Sequence, residues 1–224
     1  MDERSAVTRG RTLDHAAKVY DFCEPILLLG KQGAYNREIV ALLELEPSQR
    51  VLDLGCGTGE LTRMIADNLD AARGGQAVGV DAAAKMIQVA RKKRGNDACR
   101  FDVVAAESLP YEDGAFDAVV SSLFFHHVDL ELKQRTLTES FRVLPPGGKL
   151  VIADMHLPTT WMGWLVSWTS RWFFMQPQIA ENIRGMLPGL MTEAGFSPPL
   201  IRAYYFGYIA IFTCQKPGGG HGTA

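Results

Sequence analysis

The strongest constraint on this chain's fold is one stretch, residues 51–62, which reads Val-Leu-Asp-Leu-Gly-Cys-Gly-Thr-Gly-Glu-Leu-Thr. An apolar, β-favouring run enters three glycines at alternate positions, Gly55, Gly57 and Gly59, and a helical pattern follows. Alternate glycines permit a tight reversal and let a ligand approach bare backbone. Turning alone would not call for three glycines in five residues. A buried strand that feeds a helix through such a loop belongs to a parallel sheet with helices on both faces.

The rest of the sequence repeats that alternation. Strand-like runs fall at 50–54, 77–80, 100–104, 116–121 and 149–154, and helical patterns at 58–69, 83–94 and 130–143. Two helices are expected before the first strand, at 13–22 and 36–45. After residue 177 come one helix (178–194) and a hairpin of 200–205 and 208–215, turned near Phe206-Gly207. The pattern predicts a Rossmann-like, doubly wound α/β fold. Its mostly parallel, seven-stranded sheet carries an antiparallel edge strand, and its binding site lies at the carboxyl ends of the strands. With 224 residues the chain suits one such domain. Residues 49–217 are expected to form it, preceded by the helices of 1–48 and followed by a flexible tail at 218–224.

The charges around the glycine loop discriminate between ligands. A dinucleotide loop reads Gly-x-Gly-x-x-Gly, whereas Glu60 stands at its last position here. A diphosphate prefers a helix N-terminus without acids. Asp53 and Glu60 would repel it, and would suit a ligand bearing an ammonium group. No Gly-Lys-Ser/Thr follows, so a P-loop is excluded. Asp81 ends the second strand, where a carboxylate can accept both hydroxyls of a ribose or cap the next helix. The run Arg91-Lys92-Lys93-Arg94 reads as a solvated helix end before Gly95.

These residues resemble the class I S-adenosylmethionine-dependent methyltransferases, and residues 49–158 resemble the ubiquinone/menaquinone C-methylases in particular. Residues 53–59 match that family's cofactor loop. Further resemblances lie in Asp81 with the following 82–86, in 107–117, in 143–150 and in 190–196. The resemblance implies S-adenosylmethionine as cofactor and S-adenosylhomocysteine as product, with the helices of 1–48 closing over the site and a substrate-covering insert at 157–190. The implied cofactor contacts are Tyr20, Asp53, Gly55, Cys56, Gly57, Gly59, Asp81, Ala82, Met86, Ala106, Glu107 and Ser122. One departure stands out. The family's adenine-binding acid is replaced by Ala105, which leaves Ala106, Asp102 or Glu107 for that contact.

Transfer from a sulfonium is an in-line displacement that needs positioning above all. A base is required only where the nucleophile must lose a proton. The best candidates are His127, then His126, directly after the fourth strand; histidine titrates near neutral pH. Either could equally cap or pack. Asp154 and His156 follow the fifth strand on the acceptor side. A non-catalytic module that binds the cofactor for regulation or partner contact is the alternative to an enzyme.

All four tryptophans lie within twelve residues, at Trp161, Trp164, Trp168 and Trp172. On a helix this spacing makes one stripe. Three readings compete: core packing, a lid over an apolar acceptor in which Trp161, Trp164, Trp168 and His156 bind substrate, and a membrane-surface contact. Arg171 is the only charge between His156 and Glu181, which limits electrostatic anchoring.

Composition excludes other classes. The net charge of -2 offers no general grip on nucleic acid. The four cysteines, Cys23, Cys56, Cys99 and Cys214, lack metal-binding spacing, so no metal site is expected and a cytoplasmic setting is the default. The partner expected is a small-molecule acceptor, with peripheral membrane contact as an option. Oligomeric state is not legible.

Overall fold

The structure is a computed structural model that describes residues 4–8, 32–173 and 178–218. The expected helix at 13–22, Tyr20, Cys23 and the tail beyond residue 218 lie outside the described residues. The remaining chain forms one seven-stranded sheet. Its strands are β1 (Arg50–Leu54), β2 (Gln76–Asp81), β3 (Cys99–Val103), β4 (Ala118–Ser122), β5 (Lys149–Met155), β6 (Leu200–Tyr205) and β7 (Ile209–Gln215), in the order β3-β2-β1-β4-β5-β7-β6. β1 to β5 are parallel, and β7 runs antiparallel to both neighbours. The strand order reverses between β1 and β4, which opens a crevice at their carboxyl ends.

Side-chain alternation builds two cores. Leu52, Leu54, Val78, Val80, Val119 and Ile152 pack on one face with Phe116, Phe125 and Leu137. Val51, Ala77, Val120 and Val151 pack on the other with Tyr35, Ile39, Ile65 and Ile87. The second set is covered by α1 (Gln32–Leu43), α2 (Glu60–Ala66) and α3 (Ala84–Arg94). The first is covered by α4 (Leu130–Val143), whose N-cap Asp129 accepts a hydrogen bond from the Leu132 N–H at 3.0 Å. Burying each large aliphatic side chain contributes about 1.5–3 kcal/mol.

Beyond β5 the chain forms α5 (Trp161–Phe173), α6 (Ile179–Ile183) and α7 (Leu187–Glu193). The single helix expected over 178–194 is therefore two. Gly185 adopts φ +77°, a left-handed conformation that ends α6, and Pro188 sits in the first turn of α7, where its missing N–H costs nothing. The hairpin between β6 and β7 turns within the three residues 206–208, where Phe206 (φ +53°) and Gly207 (φ +72°) are successive left-handed residues.

Trp161, Trp164 and Trp168 do not enter the core. α5 rests on the hairpin turn through Gly163, where an added Cβ would stand 2.4 Å from the Gly207 carbonyl oxygen, and Ser167, one turn on, is also buried. Trp161 and Trp164 lie on the opposite side, 76% and 55% exposed, beside exposed Met162 and Leu165. Trp168 is half-buried, its ring 5.8 Å from that of Trp164. No helix among the described residues is long and apolar enough to cross a membrane.

Candidate active site

Two adjoining clefts open at the carboxyl ends of β1, β2 and β4, and both are walled by Gly55 and Gly57. The larger encloses about 680 Å³, open to solvent, and runs past Asp81, Ala82, Met86, Ala106 and Glu107 to Phe124 and His127. The smaller, about 410 Å³, is polar and is lined by Gln32, Asn36, Asp53, Glu60 and Ser122 among others.

The glycine loop is shaped by hydrogen bonds from within the sheet. The N–H groups of Gly55 and Cys56 both donate to the Val80 carbonyl, at 2.9 and 3.0 Å. Gly55 has φ +69°, and a Cβ there would meet the Phe124 ring at 2.5 Å. Gly59 departs from the sequence expectation. It lines neither cleft; at φ +85° its missing Cβ leaves room for Phe101, which would otherwise stand 2.3 Å away. Its role is close packing of β3 beneath the loop.

Asp81 joins the loop to β2. Its Oδ2 accepts the Gly57 N–H at 3.1 Å, and its Oδ1 accepts the Ala83 N–H at 2.8 Å at the start of α3. Asp81 thus ties the loop to the segment entering α3, whose N-cap position is occupied by Ala83. Asp53 is buried, with its Oδ2 held by the Thr62 hydroxyl at 2.6 Å. Tyr35 and Ser122 share a hydroxyl–hydroxyl hydrogen bond of 2.9 Å.

Ala105 is buried and lines neither cleft, whereas Glu107, two residues on, lines the larger one. Asp102 is turned away, with Tyr111 donating to it at 3.1 Å and Arg100 at 3.3 Å. Glu107 also accepts the Thr8 hydroxyl at 2.5 Å, and Thr8 joins the cleft wall. Residues 4–8 are seated there by two more bonds: Ala6 N–H donates to the Ala82 carbonyl at 2.9 Å, and Ala84 N–H donates to Ser5 Oγ at 3.1 Å. The sequence carried no signal for this seat, because a polar N-terminal segment has no periodicity to read.

The two histidines separate. His127 lines the larger cleft, whereas the His126 ring turns inward to the buried Asp154, its Nδ1 2.8 Å from Oδ1. The rings lie 3.9 Å apart, tilted by 43°. Burial pushes the Asp154 carboxyl up, but His126 and the Met155 N–H more than offset this, and the net shift is downward. His156 lines neither cleft. It packs edge-on against Phe212 at 5.0 Å, and burial lowers its pKa, so it is neutral at pH 7. Trp161, Trp164 and Trp168 also line neither cleft.

Cys56 lies in the loop, its thiol pushed well above the ordinary value by burial and then by Asp53 and Asp81. Such a thiol is inert at neutral pH. Among the described residues no group of three or more His, Cys, Asp or Glu is placed to hold a metal ion.

Gln32, Asn36 and Phe124 were missed from the sequence. Gln32 and Asn36 lie on α1, far from the loop in sequence, and Gln32 Nε2 donates to Glu60 Oε2 at 3.3 Å. Phe124 reads as an ordinary apolar residue until the sheet places it over Gly55.

Residues 52–152 match a family described as a methyltransferase domain. The chain is 32% identical over 220 residues to a demethylmenaquinone methyltransferase of Thermus thermophilus, covering 88% of this chain and 96% of that protein. Among solved structures, it is similar to the putative methyltransferase of Haloferax volcanii in complex with a Trm112 activator (TM-score 0.67, 19% identity, 94% of this chain and 100% of that one). It is also similar to phosphoethanolamine N-methyltransferase 2 of Haemonchus contortus, solved with phosphomonomethylethanolamine and S-adenosylhomocysteine (TM-score 0.67, 18% identity, 92% of this chain and 58% of that one).

Proposed function

The chain belongs to the class I S-adenosylmethionine-dependent methyltransferases of the ubiquinone/menaquinone C-methylase type, and from that membership we propose that its acceptor is a small, apolar, aromatic molecule of quinone kind. The observation that carries this reading is the join at Gly55 and Gly57 between a polar cleft and a larger cleft of mixed lining, with the apolar Phe124 and the titratable His127 at the far side of the larger one. The Thermus relative, named for demethylmenaquinone, supports the same acceptor class.

The clefts fit S-adenosylmethionine. The polar one offers the carboxylates of Asp53 and Glu60 and the Ser122 hydroxyl to an amino-acid end. Asp81 offers oxygens to ribose hydroxyls, and Met86, Ala106 and Glu107 border the position of an adenine. The acids exclude a diphosphate by repulsion. When bound, S-adenosylmethionine supplies a methyl group on an already activated sulfonium leaving group. The chain's own work is then orientation and proton handling. His127 takes the proton that the acceptor gives up as its ring carbon or oxygen gains the methyl group.

We assign residues 157–190 the role of covering the acceptor. The exposed face of α5, carrying Trp161 and Trp164, suits contact with a lipid interface where an apolar acceptor resides. The test is incubation with S-adenosylmethionine and reduced demethylmenaquinone, followed by mass spectrometry. A product one CH2 heavier together with S-adenosylhomocysteine is expected. Cofactor binding with no transfer to reduced demethylmenaquinone would overturn the acceptor class.

A further inference from the structure

Asp154 is fully buried at the end of β5, yet it lines neither cleft. Its Oδ1 accepts from His126 Nδ1 at 2.8 Å, from Asn182 Nδ2 at 3.2 Å and from its own neighbour Met155 N–H at 2.6 Å. Its Oδ2 accepts from the Phe125 N–H at 2.7 Å. Four donors converge on one carboxylate, which satisfies the demand that a buried charge be hydrogen-bonded. A carboxylate bonded to Nδ1 at this distance requires the imidazole proton to sit on Nδ1.

Stability alone does not explain this group. A well-packed apolar cluster commonly does as well as a buried ionic pair. What the carboxylate holds is more telling. The turn between β4 and α4 contains Leu123 at φ +54°, a left-handed conformation that strains a leucine. Such strain persists only where the surroundings enforce it, and it clusters at functional sites. The same turn presents Phe124 over Gly55 and His127 in the cleft wall. On the other side, Asn182 belongs to α6, in the segment that follows the tryptophan helix. α6 is itself tied to α4 by the buried Lys133, which pairs with Glu181 and donates to the Gln178 carbonyl at 3.1 Å. Asp154 therefore bridges the turn that builds the cleft wall and the segment assigned to cover the acceptor.

We propose that Asn182, Asp154 and His126 form a positioning chain that fixes the His127 ring and Phe124 for methyl transfer. This inference rests on the reading that the larger cleft is the transfer site. His126 acts through His127 and the turn, and not on the acceptor.

The test uses the full chain with isotope-labelled histidine. Ring nitrogen shifts should show His126 as the Nδ1–H form. His126→Ala should move the His127 ring signals and lower kcat with reduced demethylmenaquinone about tenfold to a hundredfold, as misplacement by about 1 Å does. KM for S-adenosylmethionine should stay within about twofold, because uniform binding is untouched. His126→Asn, whose amide can reproduce the Nδ1–H donor, should restore both. Asn182→Ala, which leaves the carboxylate and His126 in place, provides a milder variant should the alanine at 126 fail to fold. It should shift the same His127 signals in the same direction. Unmoved His127 signals in both variants, or full activity in His126→Ala, would overturn the chain. If the unsubstituted protein does not methylate reduced demethylmenaquinone, the acceptor reading fails, and the His127 shifts decide the chain by themselves.

Discussion

Gly57 donates its backbone N–H to Asp81 Oδ2 at 3.1 Å, so the glycine loop after β1 and the acid at the tip of β2 form one rigid unit. The cofactor's ribose oxygens and its amino-acid end would meet opposite sides of this unit. Loss of either residue should therefore disturb both compartments.

Gly59 should behave differently from Gly57. Gly59→Ala places a Cβ 2.3 Å from Phe101 at a left-handed φ. We predict a stability loss of about 1–3 kcal/mol from overpacking, read as a lowered urea midpoint. S-adenosylhomocysteine affinity of the folded fraction should change little. Gly57→Val should instead abolish binding while the protein remains folded.

Asp154 sets an acid limit. Its folded pKa lies below the ordinary value of 3.8, so its contribution to stability is fully present above that value and disappears as pH falls through the folded pKa. Asp154→Asn should cost about 3 kcal/mol at pH 7, as breaking a buried pair does. The difference from the unsubstituted chain should shrink below pH 3.8. Urea unfolding of both proteins across that range reads it out, and a gap that persists at low pH would contradict the assignment.

The described thiols should be inert. Burial pushes Cys99 and Cys214 each up to about 12 and Cys56 well above its ordinary value. Iodoacetamide at pH 8 should leave all three unmodified in the native protein and label them after denaturation, as peptide mass spectrometry will show. Rapid native labelling of Cys56 would contradict the burial of its thiol.

The exposed face of α5 should matter for surfaces and not for folding. Trp161→Ser with Trp164→Ser should alter stability by less than about 0.5 kcal/mol, since both side chains are exposed. Co-sedimentation with lipid vesicles should fall markedly in the double variant. Equal sedimentation of the two proteins would remove the lipid-interface role of this helix.

The sheet and its cofactor loop were legible in the sequence because most strands are short runs dominated by apolar and β-branched residues and the glycines sit at fixed offsets. Gly55, Gly57, Asp81 and His127 all line the clefts. The misses have distinct physical causes. The helix expected over 178–194 broke because Gly185 needs a left-handed φ that periodicity does not register. The tryptophan stripe was a correct helix, but the packed face is the one that carries the small residues Gly163, which allows close approach to the hairpin turn, and Ser167, which is buried. His126 and His127 are neighbours in sequence, and only the buried Asp154 reveals that one is structural support and the other cleft wall.

The most direct measurement is calorimetric titration of S-adenosylhomocysteine into the unsubstituted protein and into Asp81→Ala. The unsubstituted protein should bind one equivalent. Removing hydrogen bonds to a charged acceptor costs about 1.5–3 kcal/mol, so the variant should bind about ten- to a hundredfold more weakly. Equal affinity in the two proteins, or no binding in either, would contradict the placement of the cofactor at the Gly57–Asp81 unit.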